Sequence, residues 1–169
     1  MAILGDEILT PGDGQLRALV ALAGNMVLSM ADGHHTEAAL SRLDFMVSID
    51  PYLNETTRFA DVILPPAGPF EKQHYDLFYH TYDTINWAKY SPALFKPKGK
   101  IYSDYEIISE LMEGIRVKRQ RSALKRLSIR AMGWLSRKLL SVDRIIDLGL
   151  RFGPYGSGLN PFNRRGLNL

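Results

Sequence analysis

Three short apolar runs, each shut off abruptly, constrain this chain more than any other feature. Leu16–Gly24 (LRALVALAG) ends in glycine, Phe45–Asp50 (FMVSID) stops at Asp50-Pro51, and Asp61–Leu64 (DVIL) is closed by Pro65-Pro66. Proline has no N–H to give a central ladder, so these runs read as strands of fixed length. The first shows no polar alternation, which suits a parallel strand buried on both faces. Helix-forming stretches lie between the strands. His34–Leu43 carries Ala38, Ala39 and Leu43 at apolar positions, and Asn54–Ala60 has room for one or two turns. Strands separated by short helices predict right-handed crossovers and an α/β fold with a parallel sheet flanked by helices. Tyr75–Tyr90, rich in aromatics and threonine, reads as extended structure in a hairpin.

Further along, Ser103-Asp104-Tyr105-Glu106 has the Ser-x-x-Glu pattern of a capping box and predicts a helix from Ser103 to Val117. The composition then changes. Residues 1–115 carry eight Lys/Arg against sixteen Asp/Glu, whereas residues 116–169 carry thirteen against two. We therefore expect two domains, 1–115 and a basic helical extension over 116–169. In the extension Leu124, Leu127, Ile129, Met132, Leu135 and Leu139 recur near helical spacing with Arg and Lys between them, and a break is expected at Gly133 or Ser141. Such an amphipathic segment can pack on protein, lie on an anionic membrane surface, or contact nucleic acid. Burial against protein ranks first. Nucleic acid is excluded from the reading, because aromatics for base stacking are sparse there. The end of the chain, rich in Gly, Pro and Asn, reads as loop.

Several function classes drop out. Cysteine is absent, which removes disulfides, thiolate-held iron–sulfur clusters, zinc fingers and a cysteine nucleophile from this sequence. No G-x-G-x-x-G and no P-loop is present. The opening MAILGDEILT lacks a basic, then apolar, leader, so no signal peptide is expected and the localisation reads as cytoplasmic. No run approaches the roughly 20 apolar residues of a membrane helix.

Candidate ligand contacts sit where strands and helices end. In open α/β sheets ligands bind beyond the carboxyl ends of the strands. Asn25 follows the first strand, Asp50 ends the second, Lys72 follows the third, and Asp104 opens a helix. Each has a plainer account: Gly24-Asn25 as turn chemistry, Asp50 as a loop or cap carboxylate, Glu71-Lys72 as a solvated pair, Asp104 as a macrodipole partner. His34 and His35 face different sides of a helix and make a poor chelating pair, and His74 and His80 read as surface or structural residues.

Taken in order, GNMVLS at 24–29, LDFMVSIDPYLNETTRFADVILPP at 43–66, FEK at 70–72 and SDYEIISEL at 103–111 resemble the molybdopterin oxidoreductases of the dimethyl sulfoxide reductase type, to which formate dehydrogenases and nitrate reductases belong. The resemblance covers 16–115 and extends more weakly through GPYG and LNPF near the end. It implies a Rossmann-like domain holding one guanine dinucleotide arm of a bis-molybdopterin cofactor that carries molybdenum or tungsten. Asn25, Ile49, Asp50, Lys72 and Asp104 are then the implied cofactor contacts. Ile49 stands where the family often has serine, which leaves a backbone contact at that position. The resemblance also implies an internal fragment. The metal ligand, the substrate region and any iron–sulfur cluster then lie outside it, and no catalytic residue or metal ligand is assigned here. Such a portion is expected to be inactive alone and to partner the remaining domains or subunits. Had its missing N-terminus carried an export signal, the site would be periplasmic. The competing expectation is a non-enzymatic Rossmann-like module whose basic helix binds a partner protein or a membrane surface.

Overall fold

The computed structural model describes residues 3–76, 82, 84, 85 and 89–153. Two compact units emerge. The first runs to Gly68 and takes back Pro97–Ile107; the second holds Pro69–Lys96 and the chain from Ile108 on.

The first unit is α/β. Its order is α1 (Leu4–Leu9), β1 (Ala18–Leu22), α2 (Met26–Ser29), α3 (Gly33–Leu40), β2 (Phe45–Ile49), a 3-10 turn at Thr57–Phe59, and β3 (Val62–Ile63). The three strands form one parallel sheet in the order β1-β2-β3, with Val20 opposite Val47 and Val47 opposite Val62. Ala21, Leu40 and Met46 form the buried centre, joined by Leu19, Met26, Val27, Leu43, Phe59 and Ala60. Full burial of a side chain such as Met46 contributes about 1.5–3 kcal/mol. Helix α3 starts because Asp32 Oδ1 accepts the His35 N–H at 2.9 Å. Gly33 is needed there, since a Cβ would run into the Val27 carbonyl oxygen.

Two expectations need correcting. The strand at Leu16–Gly24 is shorter, and it is not buried on both faces: Val20 and Leu22 are exposed while Ala21 faces the core. Among the described residues β1 pairs only with β2, and α3 covers the opposite face. Helices α1 and α2 were not expected at all. They are too short to show periodicity, and tertiary bonds hold them. The Leu16 N–H donates to Glu7 O at 3.0 Å, and His35 Nε2 lies 3.0 Å from Asp6 Oδ1. That pairing gives His35 a structural role.

In the second unit β4 (His74–Tyr75) pairs antiparallel with β5 (Tyr90–Ser91), the two ends of the predicted hairpin; the stretch between them lies largely outside the described residues. Three helices follow, α4 (Asp104–Arg119, which starts in the first unit), α5 (Ala123–Leu139) and α6 (Val142–Phe152). The capping box forms: the Ser103 N–H donates to Glu106 Oε2 at 2.8 Å, and the Glu106 N–H returns to Ser103 Oγ at 3.4 Å. Helix α5 passes through Gly133 unbroken. A side chain there would strike the Glu113 carboxylate of α4, which Arg137 Nη1 holds at 2.5 Å. The break comes at Leu140-Ser141, where Ser141 Oγ accepts the Arg144 N–H. GPYG beyond Gly153, and LNPF, lie outside the described residues. No described helix is long and apolar enough to cross a membrane.

Candidate functional site

Because the sheet is parallel, β1 and β2 deliver their carbonyl ends to the same edge, with Leu22 opposite Ile49. The loops that follow carry the polar chemistry. The Ala23 N–H donates to Ile49 O at 3.0 Å, and Ala23 turns the chain with φ +45°. Asn25 follows and is half-buried.

On the second loop Asp50 is buried, and its Oδ1 accepts the Tyr52 N–H at 2.8 Å in an Asx-turn. Asn54 Oδ1 takes the N–H groups of Thr56 and Thr57 at 3.0 and 2.9 Å. Thr57 Oγ1 accepts from the Asn54 N–H and donates to Tyr52 O. The loop is therefore rigid, yet it leaves the Tyr52 ring exposed.

Two side-chain bonds join the loops. Asn25 Nδ2 donates to Glu55 Oε2 at 2.7 Å, and Thr56 Oγ1 donates to Asn25 Oδ1 at 2.9 Å. The Asn25 amide, then the Glu55 backbone N–H and the Arg58 guanidinium, hold Glu55 below the usual glutamate range. Arg58 is itself paired with Glu37.

The third loop is reached from β3. Beyond it the Ala67 N–H donates to Tyr102 O at 2.8 Å, which brings the start of α4 and Asp104 to the chain that follows β3. Asp104 is half-buried, with Oδ1 shielded from solvent.

The structure thus brings Asn25, Ile49 and Asp50 together and places Asp104, the first residue of α4, in the same unit. Lys72 belongs to the second unit and is half-buried there. The Ile49 side chain is fully buried, so any contact at that position runs through its backbone. Sequence reasoning passed over Glu55 and Thr56. They stood inside the Glu-Thr-Thr stretch, but bonds reaching across 30 and 31 positions leave no local periodicity to read. Among the described residues no three or more His, Asp or Glu stand together as a metal ligand set. A separate shallow pocket of about 490 Å³ lies at the α4–α5 turn, lined by Lys118, Arg126 and Arg130 with three apolar neighbours.

Comparison with known proteins matches residues 6–114 to the family model described as molybdopterin oxidoreductase. A probable oxidoreductase, YjgC, of Bacillus subtilis is 36% identical over 98 residues, covering 58% of this chain and 9% of that protein. The F420-dependent formate dehydrogenase 1 subunit alpha of Methanococcus maripaludis is 33% identical over 107 residues, 63% of this chain and 15% of that one. The assimilatory nitrate reductase catalytic subunit of Bacillus subtilis is 36% identical over 61 residues, 36% of this chain and 9% of that one. The chain thus spans between 9% and 15% of the length of these relatives.

Proposed function

The chain belongs to the molybdopterin oxidoreductase family, and from that premise we propose that it is the part of a molybdenum- or tungsten-dependent oxidoreductase that grips the guanine end of a bis-molybdopterin guanine dinucleotide. Formate dehydrogenase- or nitrate reductase-like activity, in the cytoplasm, belongs to the assembly with the remaining domains or subunits. Any iron–sulfur cluster would come from them. The observation that carries the reading is the rigid pair of loops bearing Asn25 and Asp50 at the carbonyl ends of adjacent parallel strands, where α/β sheets bind ligands.

The residues present suit such a ligand. A guanine nucleotide offers N–H groups on its base edge and two ribose hydroxyls, which need acceptors. Asp50 and Asp104 are carboxylates at loop or helix starts, and each is partly withdrawn from water, where a charged hydrogen bond gains strength. Asn25 keeps one amide N–H after Glu55 has taken the other. Lys72 supplies the type of charge a pyrophosphate needs. When bound, the metal–dithiolene centre supplies the redox chemistry. This chain's residues bind, orient and shield.

Guanosine monophosphate titrated into the protein by calorimetry tests the reading. Asp50→Asn keeps the acceptor of the Asx-turn and removes the charge, and Asp104→Ala removes the second acid. Each should weaken binding by roughly tenfold or more, since a hydrogen bond to a charged group contributes about 1.5–3 kcal/mol. Unchanged affinity in both variants would count decisively against it.

A second reading, a non-enzymatic module that docks a partner through its basic helix, draws on α5. Several of its apolar side chains are exposed, Leu127 at 66% and Trp134 at 58%, while Gly133 and Arg137 face Glu113 of α4. The same titration separates the two, because this module needs no nucleotide. Sedimentation with anionic vesicles then distinguishes a lipid surface from a protein partner.

A further inference from the structure

Asn25 occupies the N-cap position of α2 but makes no capping bond. Asparagine is among the best N-cap residues, because its side-chain oxygen ordinarily takes a free N–H of the first turn. Here that N–H, on Val27, goes to Thr56 Oγ1 at 3.0 Å instead. The same hydroxyl donates its proton to Asn25 Oδ1. Thr56 therefore does the capping that Asn25 is suited to, and the Asn25 amide is free to point across the loops. Its nitrogen is drawn to Glu55 and its oxygen to Thr56, so both the place and the orientation of the amide are set. Thr56 is fully buried and Glu55 is exposed at the rim.

Resting on the nucleotide-binding reading above, we infer that Thr56 and Glu55 are positioning residues that aim the Asn25 amide at the ligand. Two loops become one surface through this latch. Nothing in the latch touches the ligand except Asn25.

The geometry is tested without ligand by following Glu55 as it titrates, using side-chain carboxyl NMR. In the native protein Glu55 should titrate below ordinary glutamates. Asn25→Ala and Thr56→Val should both move it back toward the ordinary value, and Thr56→Ser should leave it low. Binding is tested with guanosine monophosphate. Thr56→Val should weaken it about tenfold, the worth of roughly one hydrogen bond. Thr56→Ser should restore it to within about twofold of native, and Glu55→Gln, at an exposed position, gives a variant that folds if Thr56→Val does not. The double variant Asn25→Ala/Thr56→Val should bind no more weakly than Asn25→Ala alone, because residues acting through one group are non-additive. Independent, multiplying losses would overturn the inference, as would a Glu55 titration unmoved by Thr56→Val. If Glu55 behaves as described but the native protein never binds the nucleotide, the nucleotide-binding reading fails and the positioning role falls with it. If the nucleotide binds and Thr56→Val has no effect, only the inference falls.

Discussion

Ala23 is the residue where the sheet hands over to the site. With φ +45° it sits in the left-handed region, which costs an L-residue about 1–2 kcal/mol. Strain of this kind persists where surrounding bonds over-determine it, and here the Ala23 N–H is fixed to Ile49 O. The dipeptide Gly24-Asn25 looked like the turn, yet Gly24 is not in a left-handed conformation, and a methyl group at that position would meet only Leu22 O, at 3.7 Å. The turn was legible in sequence; the residue that bears it was not, because alanine carries no signal for a positive φ. Two substitutions separate conformation from contact. Ala23→Gly removes the Cβ cost but loosens the unfolded chain, and these offset to within about 1 kcal/mol. Ala23→Val brings a branched Cβ to the same φ and should destabilise by roughly 1–3 kcal/mol in urea denaturation. Equal tolerance of glycine and valine would mean that the bend at 23 is not fixed.

At the scale of elements, what the sequence disclosed depended on how each element is held. Strands β2 and β3 were legible because prolines bound them, and α4 because its capping box is local. Helices α1 and α2 were not, since bonds from distant residues hold them. The junction of β5 and α6 is a third case. Tyr90 and Asp143 lie 53 positions apart, and the Tyr90 hydroxyl donates to Asp143 Oδ1 at 2.8 Å in the first turn of α6. Burial, then the Asp143 bond and charge, push the Tyr90 phenol up to about 12. A raised folded-state value favours the protonated form. Its stabilisation is complete below the ordinary tyrosine value of about 10 and is lost as pH rises through the folded value. The second unit should therefore weaken between about pH 10 and 12, followed by thermal unfolding, as the phenolate absorbance at long ultraviolet wavelength rises. Tyr90→Phe should remove this alkaline step while leaving the remaining tyrosines to titrate. A step unchanged in Tyr90→Phe would place the alkaline sensitivity elsewhere.

For the molecule as a whole the sheet is the informative object. Parallel sheets are ordinarily covered on both faces, and their ligand crevices open where strand order reverses. This sheet runs β1-β2-β3 in one direction without reversal. One face is packed under α3; on the other, Val47 and Ile49 of the central strand are buried, while Val20 and Leu22 of the edge strand β1 are exposed, Val20 at 56%. Val20 and Leu22 lie two residues apart on one side of an edge strand, and an exposed apolar edge favours association. The chain at raised concentration should therefore self-associate through the exposed side chains of β1. Val20→Lys places a charge on that edge, where the native valine is exposed and contributes little to the core, so folding should be retained. Sedimentation velocity across a concentration series should show the native chain moving to larger species while Val20→Lys remains at one smaller species. Ser29→Lys, on α2 and away from the sheet face, serves as the matched control for the added charge. If Val20→Lys and Ser29→Lys shift the distribution equally, net charge and not the exposed β1 edge governs association.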